Sequence, residues 1–292
     1  MNKIVVTGSL HYDIMLDAHH RPEKGETVMG SACRYKFGGK GGNQAIAAAL
    51  AGSNVIFAGA VGNDEQGTFL LKTLQGAGVN TDAVAVIASV PSGMSVAITD
   101  AEGDYGAVVV SNANLHIPQT VFDRDAFWQD VSLLILQNEV AEALNVHAAQ
   151  QAKKRGITVC INAAPARLLS PQLQENIDVL IVNAIEARDM CAVVVSDLAS
   201  AKQAAEVLSA TYSQVVVTAG EHGVAWCVQA EESQSMAAKK ITLVSTHGAG
   251  DCFTGVLCSA LANGKPLGDA VVSANEAAAA HVSKVAVELS PV

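Results

Sequence analysis

Residues 245-STHGAGDCFTGVLCSAL-261 read as a turn of small residues running into an amphipathic helix that starts near Asp251, behind the strand candidate 241-ITLV-244. Gly248, Ala249 and Gly250 carry little or no side chain, so their N–H groups can converge on an anion. The helix N-terminus behind them adds partial positive charge. Asp251 sits at the mouth of that turn. A carboxylate there repels a bound phosphate unless it faces a proton that it removes, which is the placement of a general base beside a phosphoryl group in transfer. Asp is also a good helix N-cap, and this stretch alone leaves both readings open.

The strand–turn–helix unit repeats along the chain. Strand candidates lie at 3-KIVVTG-8, 55-VIFAGA-60, 133-LLILQ-137, 157-ITVCI-161, 178-DVLIV-182 and 214-QVVVT-218. Helical spacing fills Gln44–Ala51, Asp64–Gly76, Val140–Arg155 and Asp197–Ala210. Alternation of this kind predicts right-handed βαβ units on a mostly parallel sheet, with ligands beyond the carboxyl ends of the strands. Two insertions break it, at about 13–37 and 92–112. The second reads as a hairpin, 94-MSVAIT-99 and 105-YGAVVV-110, turning at Gly103. Both are expected to form a small β-lid on a single domain spanning 1–292. Surface decoration is the plainer alternative.

The 292 residues are half hydrophobic, with a mean hydropathy of +0.29. No apolar run reaches the roughly 18 residues that cross a bilayer, so no membrane partner is expected. The opening MNKIVVTG reads directly as a strand with no signal segment. Six scattered cysteines without a C-x-x-C pair read as reduced thiols, and the expected compartment is cytoplasmic. The net charge of −10 and a longest basic cluster of Lys153–Arg155 argue against nucleic acid. An acidic chain can still bind a nucleotide that arrives with magnesium. The adjacent pair His19–His20 cannot share one face of a strand and reads as a solvated turn.

A second glycine-rich stretch, 38-GGKGGNQ-44, precedes an alanine-rich run. It is not a G-x-x-x-x-G-K-[ST] loop, and no Ser or Thr follows Lys40 to hold a metal ion.

Together, 38-GGKGGNQAIAAA-49 and 246-THGAGDCFTG-255 resemble the paired signatures of the ribokinase-like carbohydrate kinases, the PfkB family. Further segments follow in order: 7-TGSLHYD-13, 61-VGNDEQG-67, 134-LILQNE-139, 162-NAAPA-166, 183-NAIE-186, 218-TAGEHG-223 and 274-ANEAAAA-280. The resemblance covers essentially the whole chain. It implies an α/β fold, a three-layer αβα sandwich with a mostly parallel central sheet and a small β-sheet lid. It implies transfer of the ATP γ-phosphoryl to a primary hydroxyl of a pentose-type sugar, with ribose first among candidates.

Carried over by residue, the resemblance makes the GGKG stretch a sugar site: Gly39, Lys40 and Asn43, with His11, Asp13 and Glu139, would bind hydroxyls. Gly38, Gly39 and Gly41 would let backbone approach the sugar. Asp251 would deprotonate the hydroxyl, and the N–H groups of Gly248, Ala249, Gly250 and Asp251 would hold the phosphoryl charge. Asn183 and Glu186 would organise the Mg2+–phosphate shell through water. Thr218, Gly220 and Gly223 would hold phosphate and nucleotide, and Asn275 the adenine edge. A lid closing over sugar would exclude water, and its strand edges suit a homodimer.

The chain also departs from the family. His11 stands where ribose-specific members carry Asn. Ser245 replaces an Asp that helps bind a monovalent cation, which leaves a potassium site to backbone carbonyls around Ser245 and His247. The chain closes at 288-ELSPV-292 without the final helix of many relatives. Two rivals remain: a nucleoside kinase, needing an aromatic pocket for which Tyr12, Tyr35, Phe37 and Tyr105 are candidates, and a non-catalytic sugar-binding regulator.

Overall fold

A computed structural model describes residues 3–102, 104–242 and 247–283. Three strands open it, β1 (Lys3–Thr7), β2 (His11–Ala18) and β3 (Gly30–Gly38), and alternation follows with α1 (Lys40–Leu50), β4 (Asn54–Gly62), α2 (Glu65–Gly76) and β5 (Asn80–Ile87). The hairpin follows as β6 (Met94–Thr99) and β7 (Tyr105–Val110). After three short 3-10 turns come β8 (Val131–Gln137), α3 (Glu142–Lys153), β9 (Thr158–Asn162), the single-turn α4 (Pro171–Gln174), β10 (Val179–Asn183), α5 (Ala184–Cys191) and α6 (Leu198–Ser209). The described residues end with β11 (Gln214–Thr218), β12 (Gly223–Val228), β13 (Gln234–Ala237), α7 (Ala249–Ala262) and α8 (Leu267–Val282).

Nine strands form one sheet in the order β13-β12-β11-β10-β9-β8-β1-β4-β5. From β11 to β5 every pairing is parallel, and β12 and β13 run antiparallel at one edge. Successive side chains on a strand face opposite ways, and the core divides accordingly. Val5, Leu134, Ile161, Leu180 and Val215 pack on one face with Ala148 of α3 and Ala204 of α6. Ile4, Val6, Leu133, Ile181 and Val216 pack on the other with Ala45 of α1, Leu70 of α2, Leu257 of α7 and Ala274 of α8. Both faces are covered, which is why these strands read as continuous apolar runs. The architecture is the expected αβα sandwich with a mostly parallel sheet.

β3-β2-β6-β7 form a separate four-stranded sheet, β2 parallel to β6 and the outer pairs antiparallel. Asp17 and Arg34 brace β2 against β3 through two 2.7 Å hydrogen bonds. Arg21 reaches Asp104 at 2.8 Å and Asp100 at 3.4 Å, tying the β2–β3 loop to the β6–β7 turn. In the same loop His20 Nε2 lies 3.0 Å from Glu26 Oε1.

Several boundaries differ from the sequence reading. α1 begins at Lys40, four residues earlier than expected, so most of GGKGGNQ is helix and only Gly38 and Gly39 precede it. α7 begins at Ala249 with Gly248 as its N-cap, so Asp251 lies inside the first turn and does not cap the helix. Ile241 and Thr242 belong to no strand, and the rest of the 241–244 candidate lies outside the described residues, as do Gly103, Ser245 and 288–292. β5, β12 and β13 were not anticipated. β5 is only partly buried and β13 mostly exposed, so neither carries a clear apolar signal.

α7 lies against α1 at Gly255, where an added Cβ would sit 2.5 Å from Ala47 Cβ and 2.6 Å from the Gln44 carbonyl. Gly255→Val therefore forces the two helices apart. Urea denaturation should register a loss of about 1–3 kcal/mol, the usual cost of overpacking.

Candidate active site

The residues picked from the sequence converge beyond the carboxyl ends of β1, β8, β9, β10 and β11. Asp251 is 7% exposed in the first turn of α7. The N–H groups of Ala249, Gly250 and Asp251 are the orphan donors of that turn, and Cys252 N donates to the Gly248 carbonyl at 2.9 Å. Asn43 Nδ2 donates to Asp251 Oδ2 at 3.2 Å, and Gln44 Nε2 donates to Oδ1 at 2.9 Å. Burial pushes the Asp251 carboxyl above the usual carboxylate range, and the nearby Glu139 charge adds to this. The Lys40 ammonium and the two amide donors pull the other way.

Glu139, just past β8, ties three segments together. Its Oε2 accepts from Ser9 Oγ and, at 2.9 Å, from the backbone N–H of Lys40, and it lies 4.0 Å from His11 Nδ1. His11 is 3% exposed and its Nε2 has no hydrogen-bond partner. Asp13, on the same face of β2 as His11, is 7% exposed and accepts from Ser95 Oγ at 2.6 Å. Burial again raises this carboxyl, while the Ser95 hydroxyl and the charges of His11 and His247 oppose the shift.

The glycines of 38-GGKGGNQ-44 serve contacts within the chain. A Cβ on Gly38 would fall 2.0 Å from Asp13 Oδ2. One on Gly39, at φ +93°, would fall 2.6 Å from the Ser9 carbonyl, and one on Gly41 would fall 2.7 Å from Gly8. Bare backbone here lets the start of α1 press on the β1–β2 turn and on Asp13.

Asn183 and Glu186 form a reciprocal capping box on α5. Asn183 Oδ1 accepts from the N–H groups of Ile185 and Glu186, both at 2.9 Å. Glu186 accepts from Asn183 N at 2.7 Å and from Asn183 Nδ2 at 2.9 Å. The Glu186 carboxyl is 4% exposed and raised by burial, with Lys40 opposing and Asp251 reinforcing. Both its oxygens are engaged, and no group of three or more metal-ligating side chains occurs among the described residues.

Thr218 pairs in register with Asn183 across β10 and β11. Gly220, at φ +56°, opens a short turn after it, and Gly223, at φ +122°, starts β12 against β13, where a Cβ would meet the Met236 carbonyl at 2.1 Å. Asn275 on α8 reaches the same corner, its Nδ2 3.3 Å from Met236 Sδ and 3.5 Å from the Ala237 carbonyl. The His247 carbonyl lies 3.0 Å from His281 Nε2.

Gln44, Ser95, Gln137 and Asn162 were missed in the sequence. Gln44 and Gln137 each place an amide in an otherwise apolar pattern, in the alanine-rich helix and at the end of LLILQ. That was the available signal. Of the aromatic candidates, Phe37 borders a cavity shared with Asn43, His247 and Gly248. Tyr12 packs on Tyr35 and Phe69, with ring centroids 5.5 and 5.3 Å apart. Phe37 is the register partner of Tyr12, so these rings share the face of the small sheet opposite Asp13. The side chain of Tyr105 lies outside the described residues.

Among known protein families, the chain matches the pfkB family carbohydrate kinase over residues 1–291. A ribokinase of Bacillus subtilis is 33% identical over 283 residues, covering 97% of this chain and 93% of the relative. A deoxyribokinase of Salmonella typhi is 31% identical over 257 residues, covering 86% of this chain and 83% of the relative. A solved structure of Arabidopsis thaliana ribokinase complexed with ribose and ATP superposes with a TM-score of 0.90 at 26% identity, covering 97% of this chain and 93% of that one.

Asn183→Ala should lower the unfolding free energy by about 1 kcal/mol through loss of the cap, measured by urea denaturation.

Proposed function

This chain belongs to the pfkB family of carbohydrate kinases, and from that premise we propose that it transfers the γ-phosphoryl of ATP to a primary hydroxyl of a pentose, ribose first among them. The observation that carries this reading is the buried Asp251 carboxylate beside the orphan N–H groups of its own helix turn. Base and anion hole stand within one turn of helix, where a hydroxyl attacking a phosphorus needs both.

In this reading Asp13 and Glu139 accept from sugar hydroxyls while Lys40, Asn43 and the backbone at Gly39 supply donors. His11 Nε2, buried without a partner, is an atom that a ligand oxygen would satisfy, since a buried polar group left unpaired costs about 1–3 kcal/mol. Asp251 removes the hydroxyl proton as the oxygen attacks, and the N–H groups of Ala249, Gly250 and Asp251, with Gly248 giving the turn its shape, hold the charge on the transferred group. Asn183, Glu186, Thr218, Gly220, Gly223 and Asn275 form the nucleotide side.

Magnesium would be held through water or phosphate, since no group of three or more ligating side chains surrounds Glu186 among the described residues; when bound it would supply charge neutralisation to the phosphates. A monovalent cation such as potassium would be held by backbone carbonyls of the loop carrying Ser245 and His247, with Ser245 outside the described residues. The lid strands of 13–37 and 92–112, inserted in a single domain of 1–292, would close over the sugar, and their free edges suit a homodimer. A cytoplasmic location suits the six free thiols.

The nucleoside-kinase alternative is disfavoured by Tyr12 and Tyr35 lying on the lid face away from Asp13. Retention of Asp251 and its N–H turn weighs against a binding-only regulator.

ADP release from MgATP across pentoses, deoxypentoses, hexoses and nucleosides, with potassium or sodium, tests the proposal. Turnover is expected with ribose and is expected to fall about 10²–10⁴-fold in Asp251→Asn; no sugar-dependent release above that variant would favour the regulator. The base works only as carboxylate, and burial raises its pKa. The kcat profile should therefore fall as pH drops through a limb above the ordinary carboxylate range.

A further inference from the structure

Behind Asp251 runs a line of buried amides to which no sugar or nucleotide contact has been assigned. Gln44 is fully buried, and its Nε2 donates to two acceptors: Asp251 Oδ1 at 2.9 Å and Asn162 Oδ1 at 3.1 Å. Its Oε1 accepts from Gln137 Nε2 at 2.9 Å, and Gln137 is fully buried too. Asn162 donates onward to the Ile181 carbonyl at 3.3 Å, and Asn145 donates to the Gln137 carbonyl at 2.7 Å. The line thus joins β10, β9, α1, β8 and α3 and ends on one carboxylate oxygen.

Two features set it apart from packing. First, its direction is determined. Turning the Gln44 amide alone over would place its oxygen against two acceptor oxygens and its NH2 against the Gln137 NH2, so only one orientation satisfies the Gln44 amide. Second, it is costly: Gln137 Oε1 is buried with no partner. Apolar side chains in these places would fill the same volume without stranding a buried acceptor. What the amides supply, and apolar groups cannot, is a fixed donor to Asp251.

We propose that Gln44 is the positioning residue of the catalytic base: it holds Asp251 Oδ1 on the buried side, leaving Oδ2, beside the half-buried Asn43, to face the reacting hydroxyl, and Gln137 sets the orientation of Gln44. This rests on Asp251 acting as base. The Gln44 N–H favours the charged carboxylate and offsets part of the burial that raises its pKa. The charged groups facing Asp251 are Lys40 at the start of α1, which acts in the same sense, and Glu139 past β8 and Glu186 in α5, which oppose it. During turnover the proton moves from the hydroxyl to Oδ2 while the Oδ1 contact stays in place, so the carboxylate need not rotate.

The test is Gln44→Met, close in volume but without donors, beside Gln137→Met and the double variant. Carbon-13 detected titration of the Asp251 carboxyl in ligand-free protein should move its midpoint upward, by about one pH unit, in Gln44→Met. In turnover with ribose and MgATP, kcat at neutral pH should fall about tenfold or more, the equivalent of one hydrogen bond to a charged group. The acid limb should shift upward while KM for the sugar stays within about twofold. Gln137→Met should give a smaller shift of the same sign, and the double variant should be no worse than Gln44→Met alone. If Gln44→Met does not fold, Gln137→Met decides by the same titration. An unmoved midpoint and limb, or additive losses, would overturn the proposal. Activity lost in Asp251→Asn but untouched in Gln44→Met removes Gln44 alone. Activity retained in Asp251→Asn removes the base assignment and this proposal together.

Discussion

Helix α7 can lie against α1 only because Gly255 has no side chain, and that approach is what the site is built on. It brings Asn43 and Gln44, in the first two turns of α1, to Asp251 in the first turn of α7. Both helices start just beyond the carboxyl ends of the central strands, where a parallel sheet leaves a crevice. The beginning of α1 is pressed in turn onto the β1–β2 turn through Gly39 and Gly41, and onto Glu139 through the Lys40 N–H. A displacement of α1 would therefore move Asp251's two donors, the Glu139 anchor and Lys40 together.

Electrostatically the site is a set of carboxylates held out of water. Asp13, Glu186 and Asp251 are each raised by burial. Lys40 is the cation that opposes the shift at both Asp251 and Glu186. An acidic protein of net charge −10 that handles phosphate has to do so with something other than a basic patch. In the proposed reaction the orphan N–H groups of α7 would serve that end, because backbone donors stabilise an anion without adding a titratable charge. Most of the carboxylate oxygens carry donors of their own: Ser95 on Asp13, Ser9 and the Lys40 N–H on Glu139, Asn183 on Glu186, Asn43 and Gln44 on Asp251. Each is thereby fixed in orientation as well as in charge.

Much of this was legible in the chain itself. Apolar runs such as LLILQ and DVLIV announced strands covered on both faces, and the helices between them announced parallel crossovers, because burial on both faces leaves no room for polar alternation. The segments carrying Asp13, Lys40, Glu139, Asn183, Glu186, Thr218 and Asp251 each stand directly after a strand or at a helix start, and a parallel sheet gathers such positions at one edge. The small sheet was legible as an interruption of helical spacing, although the partly buried β5 and the mostly exposed edge strand β13 left too little apolar pattern to find.

The tertiary structure alone decided what those residues touch. Gln44 lay inside a stretch already singled out, yet its donor reaches a residue 207 positions away, and no local pattern encodes the crossing of α1 and α7 that brings them together. Ser95 meets Asp13 only because β6 pairs parallel with β2 across 82 positions. The glycines of GGKGG, read as room for a ligand, also give room to Asp13 and the β1–β2 turn. Sequence determined which chemical groups exist and, through periodicity, which elements carry them. Their distances, donors and burial follow from long-range packing, whose contacts join positions that carry no mark of one another in the linear chain.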